Sequence, residues 1–278
     1  LIYNRPVNFL HTAFKNYISN LSPRYLFLRG GSHYQFSMPD HELLYLVISP
    51  FLLFGLGRCL FSKEAKVKLL FFWFLAAFIP SAITKDAPHV LRSILILPAP
   101  MIISAYGVGG ITERIKGRSL FKGQLLLWVL IFAVLVSFVH WWQDYFNIYP
   151  KAYSWAWQYG YKEAVLFMKE NYQNYDKIFV TKRHGEPHEF VLFYFGWNPQ
   201  DYQNDPLKKW DYHAGWYWVD GFDKFVFLND WEVSVKAACP KAEKCLLVTS
   251  PGNHSNGWSK QSEVKFLDGK TAFEILEK

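Results

Sequence analysis

Four stretches without a charged residue dominate the first half of the chain. Leu43–Gly57 lies between Glu42 and Arg58, and Leu69–Thr84 lies between Lys68 and Lys85. Ser93–Thr112 is fenced by Arg92 and Glu113, and Gly123–Gln143 by Lys122 and Asp144. A helix crosses a bilayer with about 20 mostly apolar residues, within a range of roughly 17–25. The third and fourth runs meet that outright. The first meets it when Arg58 snorkels and the span continues through Cys59, Leu60 and Phe61. The second is short and holds Pro80, so it is expected to tilt, kink or end early. The pattern predicts four transmembrane helices at about 43–61, 69–84, 93–112 and 124–142. The alternative is a set of buried helices in a large soluble protein. Pro98 and Pro100 are expected to break the third helix and make it a packed, cavity-lining one.

The flanking segments read differently. Within 1–42, Phe9, Leu10, Phe14 and Ile18 fall near helical spacing, predicting an amphipathic helix over Val7–Ile18 lying on a membrane face. Ser22-Pro23 stops it, and Arg29-Gly30-Gly31 makes a flexible turn. After residue 143 the pattern is mixed. Tyr161–Glu170 has helical periodicity, while Lys177–Thr181, Glu189–Phe195, Lys224–Leu228 and Lys244–Thr249 read as strands, with a helix over Asn229–Ala238. Trp197–Asp220 reads as an aromatic loop, either an acceptor surface or a packing surface. The fold class is thus a polytopic α-helical membrane protein (residues 43–142, preceded by a loop segment 1–42) followed by a mixed α/β domain at 143–278.

Charge changes the picture by orienting the spans. Residues 1–142 hold 14 Lys/Arg against 5 Asp/Glu, and residues 143–278 hold 16 against 18. The basic excess lies in the apolar half, flanking the spans, which argues against a nucleic-acid partner. Its 19% aromatic content excludes a disordered chain. The loops Ser62–Lys68 and Glu113–Gly123, the latter with Arg114, Lys116, Arg118 and Lys122, are the richest in positive charge. The positive-inside rule puts them in the cytoplasm. Residues before 43, the loop 85–92 and everything after 143 then face the exoplasmic side of the cell membrane. Trp141, Trp142, Tyr145, Phe146 and Tyr149 suit an aromatic belt there. With this topology, a start at Leu1 and no signal peptide, the chain reads as the C-terminal piece of a longer polytopic protein.

The loop Thr84-Lys-Asp-Ala-Pro-His-Val-Leu-Arg92 carries the clearest candidate chemistry. Pro88 suits the first position of a helix, with Asp86 before it as cap. On such a helix His89 and Arg92 share a face, and Lys85 reaches the same place. A helix N-terminus with these cations would seat a phosphate; the alternative is a loop that anchors lipid headgroups. His184-Gly-Glu186-Pro-His188 has metal-like spacing, yet Gly185 and Pro187 forbid the helix that would aim both histidines at one ion, so no metal site is assigned. Cys239 and Cys245 are spaced for a disulfide, and Cys59 reads as core. No phosphate-binding glycine loop, dinucleotide fingerprint or nucleophile elbow is present.

Two further runs sharpen this. Asn20-Leu-Ser-Pro-Arg-Tyr-Leu-Phe-Leu-Arg-Gly-Gly, followed by Leu43-Leu-Tyr-Leu and Pro50-Phe-Leu-Leu-Phe-Gly-Leu-Gly, resembles membrane glycosyltransferases of family 39. So does Pro80-Ser-Ala-Ile-Thr-Lys-Asp-Ala-Pro-His-Val-Leu-Arg-Ser. That family belongs to the GT-C superfamily, with protein O-mannosyltransferases and aminoarabinose transferases. The resemblance covers about residues 1–200. It implies transfer of a sugar from a polyprenyl-phosphate carrier to a glycan, lipid or protein acceptor on the exoplasmic side. Lys85, His89 and Arg92 would hold the carrier phosphate, with Arg29 and His33 lining the same cavity. The catalytic carboxylate is expected upstream, in a loop this chain does not contain, so the chain alone would be inactive. The resemblance names no cofactor and leaves a divalent metal open. A non-catalytic, membrane-anchored glycan-binding or assembly subunit is the competing reading. A transporter would need ionisable residues mid-span, and only Arg58 and His140, near span ends, come close.

Overall fold

The computed structural model describes residues 4–116 and 120–278. Residues 1–3 and Arg118, which belongs to an expected cytoplasmic loop, lie outside them. The chain forms two compact units, Leu1–Asn147 and Ile148–Lys278.

The first unit is helical. Helix α1 (Arg5–Asn20) starts where the Asn4 side chain accepts from the Val7 amide at 3.1 Å, with Pro6 in its first turn. Its polar side is the packed one: Asn16 donates to the Ala82 carbonyl and Tyr17 to that of Leu75. Phe9, Leu10, Phe14 and Ile18 stay exposed. A π-helical turn (Arg24–Arg29) follows, with Tyr25, Leu26 and Phe27 buried. Next come α2 (Ser49–Leu60), α3 (Ala65–Ala76), the short α4 (Ile79–Ala82), α5 (Ala99–Lys116) and α6 (Leu120–Asn147). Leu52, Phe74, Phe78 and Ile103 form the centre of their core. Gly55 and Gly107 face each other across α2 and α5. A Cβ on either would overlap a carbonyl, Ile103 O or Phe51 O respectively, so only glycine permits this backbone approach.

Among the described residues two helical stretches are long and apolar enough to cross a membrane, Ala65–Ala82 (α3 with α4) and Leu120–Asn147 (α6). The second has a mean hydropathy of 2.3, and none of its most apolar window is buried. The other two expected spans come out shorter or more polar. Leu46–Leu60 is an apolar helix of sub-spanning length, and the run from Ser93 is split. A 3-10 turn covers Leu91–Ile96, and α5 begins only after Pro98, which cannot donate an amide to a helix.

The second unit opens with α7 (Tyr149–Tyr153) and α8 (Tyr161–Glu170), then β1 (Lys177–Thr181), α9 (Pro187–Phe195) and α10 (Pro199–Asn204). The hairpin β2 (Lys209–His213) and β3 (Trp216–Phe222) leads to β4 (Phe225–Leu228), α11 (Val233–Lys236), β5 (Cys245–Thr249), β6 (Ser259–Lys265) and β7 (Thr271–Glu277). The seven strands form one sheet in the order β2-β3-β4-β1-β5-β7-β6. Strands β4, β1 and β5 run parallel, and both flanks are antiparallel. Tyr161, Val165, Met168 and Val191 cover one face with Ile178, Val180 and Phe273; Val233, Ala237 and Trp258 cover the other with Phe179 and Leu247.

Three elements differ from expectation here. Glu189–Phe195 is helix α9, not a strand. Its apolar run has no decisive period, and Pro187 in the first turn with Gly196 at φ 70 past the end gives the local preference to a helix. Trp197–Asp220 is not a loop but α10 plus the β2–β3 hairpin, whose turn places Ala214 and Gly215 at positive φ. The Asn229–Ala238 helix shrinks to a 3-10 turn at Asp230–Glu232 and the four residues of α11.

Candidate functional site

The sequence places a helix start at Pro88, and the structure has none. Asp86 adopts a left-handed φ of 62, residues 84–88 bend, and the next helical turn begins at Leu91. Asp86 is therefore not a cap, and no helix N-terminus points at a ligand there. The loop is held by a buried polar chain instead. Ser81 Oγ accepts from the His89 amide at 3.0 Å, and Ser93 Oγ donates to the His89 carbonyl at 3.0 Å. Ser93 also lies 3.3 Å from Asn20 Oδ1, and the Asn20 amide donates to Asn16 O. Burying these groups is tolerable because each finds a partner.

This loop spreads the three predicted cations. Arg92 turns back on it, donating from Nη1 to Thr84 Oγ1 at 3.1 Å and to the Lys85 carbonyl. Lys85 is exposed in a separate groove beside Phe9, Thr12 and Asn16 of α1. His89 is buried, with Nδ1 lacking a hydrogen-bond partner, and its ring stands 5.1 Å from Phe36 and 6.2 Å from His33. Burial holds its imidazole below the ordinary value; Arg92 and His33 push the same way and Asp86 opposes them. Lys85, His89 and Arg92 thus do not converge on one cavity.

Two cavities do form around the segment 30–41. One of about 360 Å³ is lined by Arg24, Arg29, Gly30, Gly31, Ser22 and Pro88, with Asp40 its one acidic lining residue. Among the described residues, neither arginine has an ion-pair partner. Glycine is required at Gly30, whose φ is 64, and at Gly31, where a Cβ would meet Val90. The other cavity, about 800 Å³, lies between Met38–Ile48, α2, α5 and α6. Phe51, Met101, Val108, Leu130, Val134 and Phe138 give it an apolar wall. His41 stands in its lining, with Nε2 3.0 Å from Asp144 Oδ2. His140, one turn before Asp144, is 3.6 Å from the same oxygen.

Comparison with family models, with curated proteins and with solved structures finds no match to this chain. The resemblance to family 39 rests on the quoted residues alone.

Sequence reasoning missed Arg24, which stands inside the quoted run Ser-Pro-Arg-Tyr, and missed the His41–Asp144 pair. The available signal was His140 and Asp144 at helical spacing where a span ends. In the second unit, Cys239 and Cys245 are joined by a disulfide with Cα atoms 5.8 Å apart. His184 and His188 face different neighbours, Phe266 and Phe273 for the first and Phe227 for the second. Among the described residues no group of three metal-ligating side chains forms.

Proposed function

We propose that this chain is part of a multi-pass cell-membrane glycosyltransferase that takes a sugar from a polyprenyl-phosphate donor and passes it to an exoplasmic acceptor. The observation that carries the reading is the pairing of the two cavities on one segment. The residues from Arg24 to Asp40 close a cavity of about 360 Å³ that holds two arginines, and the residues from Ser37 to Ile48 border an apolar one. An isoprenoid chain with an anionic head needs both, side by side. Arginine forks bind phosphate oxygens two at a time, and an apolar wall takes a hydrocarbon chain. In this reading Arg24 and Arg29 take the phosphate, while Arg92 fixes the loop and Lys85 meets surrounding headgroups.

The topology supports it. The segments that charge placed together on the exoplasmic side, before residue 43, at 85–92 and after 143, meet in the first unit: Gly31 beside Val90, His33 near His89, His41 on Asp144. A polar underside and bare apolar row on α1 suit a helix lying in the bilayer interface, as the unburied apolar surface of α6 suits a span. On donor departure the anomeric carbon–oxygen bond to phosphate breaks as the acceptor hydroxyl oxygen bonds to that carbon, its proton passing to a carboxylate base. The arginines stabilise the charge growing on the leaving phosphate. The second reading, a glycan-binding subunit, is favoured by the exposed aromatic edge of the other unit, where Trp216 is 71% and Tyr217 67% exposed.

The test is transfer from radiolabelled polyprenyl-phosphate sugars in membranes containing the full-length protein of which this chain is proposed to be part. Radioactivity reaching a glycan, lipid or protein acceptor supports the transferase. No transfer from any donor, in membranes where the protein is abundant, moves the assignment to the glycan-binding subunit.

A further inference from the structure

The second unit carries a group of polar side chains that neither reading has used. Lys182 follows β1 directly, and its side chain is only 6% exposed. Its Nζ lies 2.6 Å from Asp220 Oδ1 and 6.0 Å above the ring of Trp218, both on β3. Four and six residues further on, Glu186 and His188 enter α9. Their Oε2 and Nδ1 atoms are buried, 3.5 Å apart, and neither makes a hydrogen bond. Lys182 acts electrostatically on both, and Asp220 on Glu186, so the four groups form one cluster. It sits beyond the carboxyl ends of β1 and β4, where sheets with parallel strands bind their ligands.

We propose that Lys182, Glu186, His188, Trp218 and Asp220 form a binding site for one neutral pyranose unit of a glycan. The chemistry of the donor set selects this ligand. Burial lowers the His188 pKa to about 4, so near neutrality the imidazole is uncharged, and burial raises that of Glu186. Lys182 is already matched by Asp220. An anion would find that cation taken and carboxylates beside it, and a metal ion would lack a third ligand of its own. A sugar hydroxyl both donates and accepts, which is what a neutral imidazole, an ammonium and two acidic side chains together can serve. Glu186 Oε2 and His188 Nδ1, which make no hydrogen bond, are the atoms left to take such hydroxyls. Two residues before Trp218 on β3, the exposed Trp216 offers an apolar face to the C–H side of the ring. The inference concerns the second unit alone and stands whether the chain transfers sugar or only binds it.

The experiment is saturation-transfer NMR and calorimetric titration on the whole chain in detergent. The probes are methyl α-mannoside, methyl β-glucoside, methyl β-galactoside and N-acetylglucosamine, with inorganic phosphate as the anionic control. At least one sugar should bind in the millimolar range. Asp220→Asn should weaken it about tenfold, the loss of one hydrogen bond to a charged group. Glu186→Gln should weaken it likewise, while Trp231→Ala, at an exposed ring outside the cluster, should not. Near-UV circular dichroism checks each fold, and the half-exposed Asp220 remains informative if Glu186→Gln unfolds. The inference is overturned if no sugar binds the folded wild-type protein. It is also overturned if phosphate binds and the sugars do not, or if folded Asp220→Asn binds within about twofold of wild type.

Discussion

Substituting alanine for Arg24 and Arg29 together removes both fixed positive charges from the 360 Å³ cavity. Both side chains are exposed, and among the described residues neither sits in an ion pair. Their removal leaves no buried charge behind, so stability should change by no more than about 0.5 kcal/mol. Any loss of ligand is then a loss of contact. A charge-assisted hydrogen bond contributes about 1.5–3 kcal/mol when desolvated, and exposure puts these at the low end. About 1.5 kcal/mol is a little over tenfold in Kd, so each single variant should lose about tenfold. Because both arginines hold one phosphate their effects are not independent, and the double variant should lose between about 30- and 100-fold. The assay is anisotropy of a fluorescent polyprenyl phosphate titrated with the protein in nanodiscs, at low and physiological salt. Wild-type affinity should fall as salt rises, since exposed charges are screened over about 8 Å at physiological ionic strength. The double variant should show a flatter salt dependence. Binding by the double variant within about twofold of wild type at low salt would refute the assignment.

Three further outcomes follow from the second unit. Asp230 Oδ1 accepts from Thr181 Oγ1 at 2.8 Å and Ser250 Oγ at 2.6 Å; Asp230→Ala leaves the buried Thr181 hydroxyl proton without its acceptor and should cost about 1–3 kcal/mol, read by denaturant unfolding of the sheet. Reducing Cys239–Cys245, which closes a loop of sequence separation 6, should cost only about 2 kcal/mol and lower Tm modestly, and a larger loss would mean the bond does more than close a loop. The lowered His188 pKa makes the unfolded chain bind its proton first on acidification. Its contribution is present above pH 6.5 and lost as pH falls toward about 4, amounting to at most ~3 kcal/mol. The raised Glu186 pKa acts the other way, its contribution being present at low pH and lost as pH rises above 4.5. Urea unfolding of wild type and His188→Gln across pH 4–7 separates the two, because only wild type should lose stability between 6.5 and 4 through this residue.

Local signals in the sequence were read correctly where one pattern dominated. Tyr161–Glu170 and Lys177–Thr181 are the helix and strand their periods predict, and the amphipathic helix near the N-terminus extends by two residues at each end. Glu189–Phe195 was misread although its punctuation was in view: a proline in the first turn and a glycine past the last outweigh β-prone side chains in a run of uniform polarity. The Trp197–Asp220 stretch hid its hairpin because the turn rests on Ala214 and Gly215, not on a strong turn pair, and because its strands lie at a sheet edge with few buried positions to alternate. The candidate phosphate site was legible as a set of cations but not as a shape. The Pro88 helix that would have gathered Lys85, His89 and Arg92 is absent, and Arg92 spends its hydrogen bonds on its own loop.

Sequence alone determined the division into an apolar, basic first half and a mixed second half, and where the longest uncharged runs lie. These follow from transfer free energy and net charge, which are sums over neighbouring residues. Only the tertiary structure decided that Arg24 and Arg29 share a cavity, that His41 meets Asp144 across 103 positions, and that Lys182, Glu186 and His188 gather with Asp220 of another strand. Those meetings depend on how a loop closes and which strand lies beside which. No local sum of propensities encodes them, because a shift of one residue in register or one bond in a turn sends the same side chain to the opposite face.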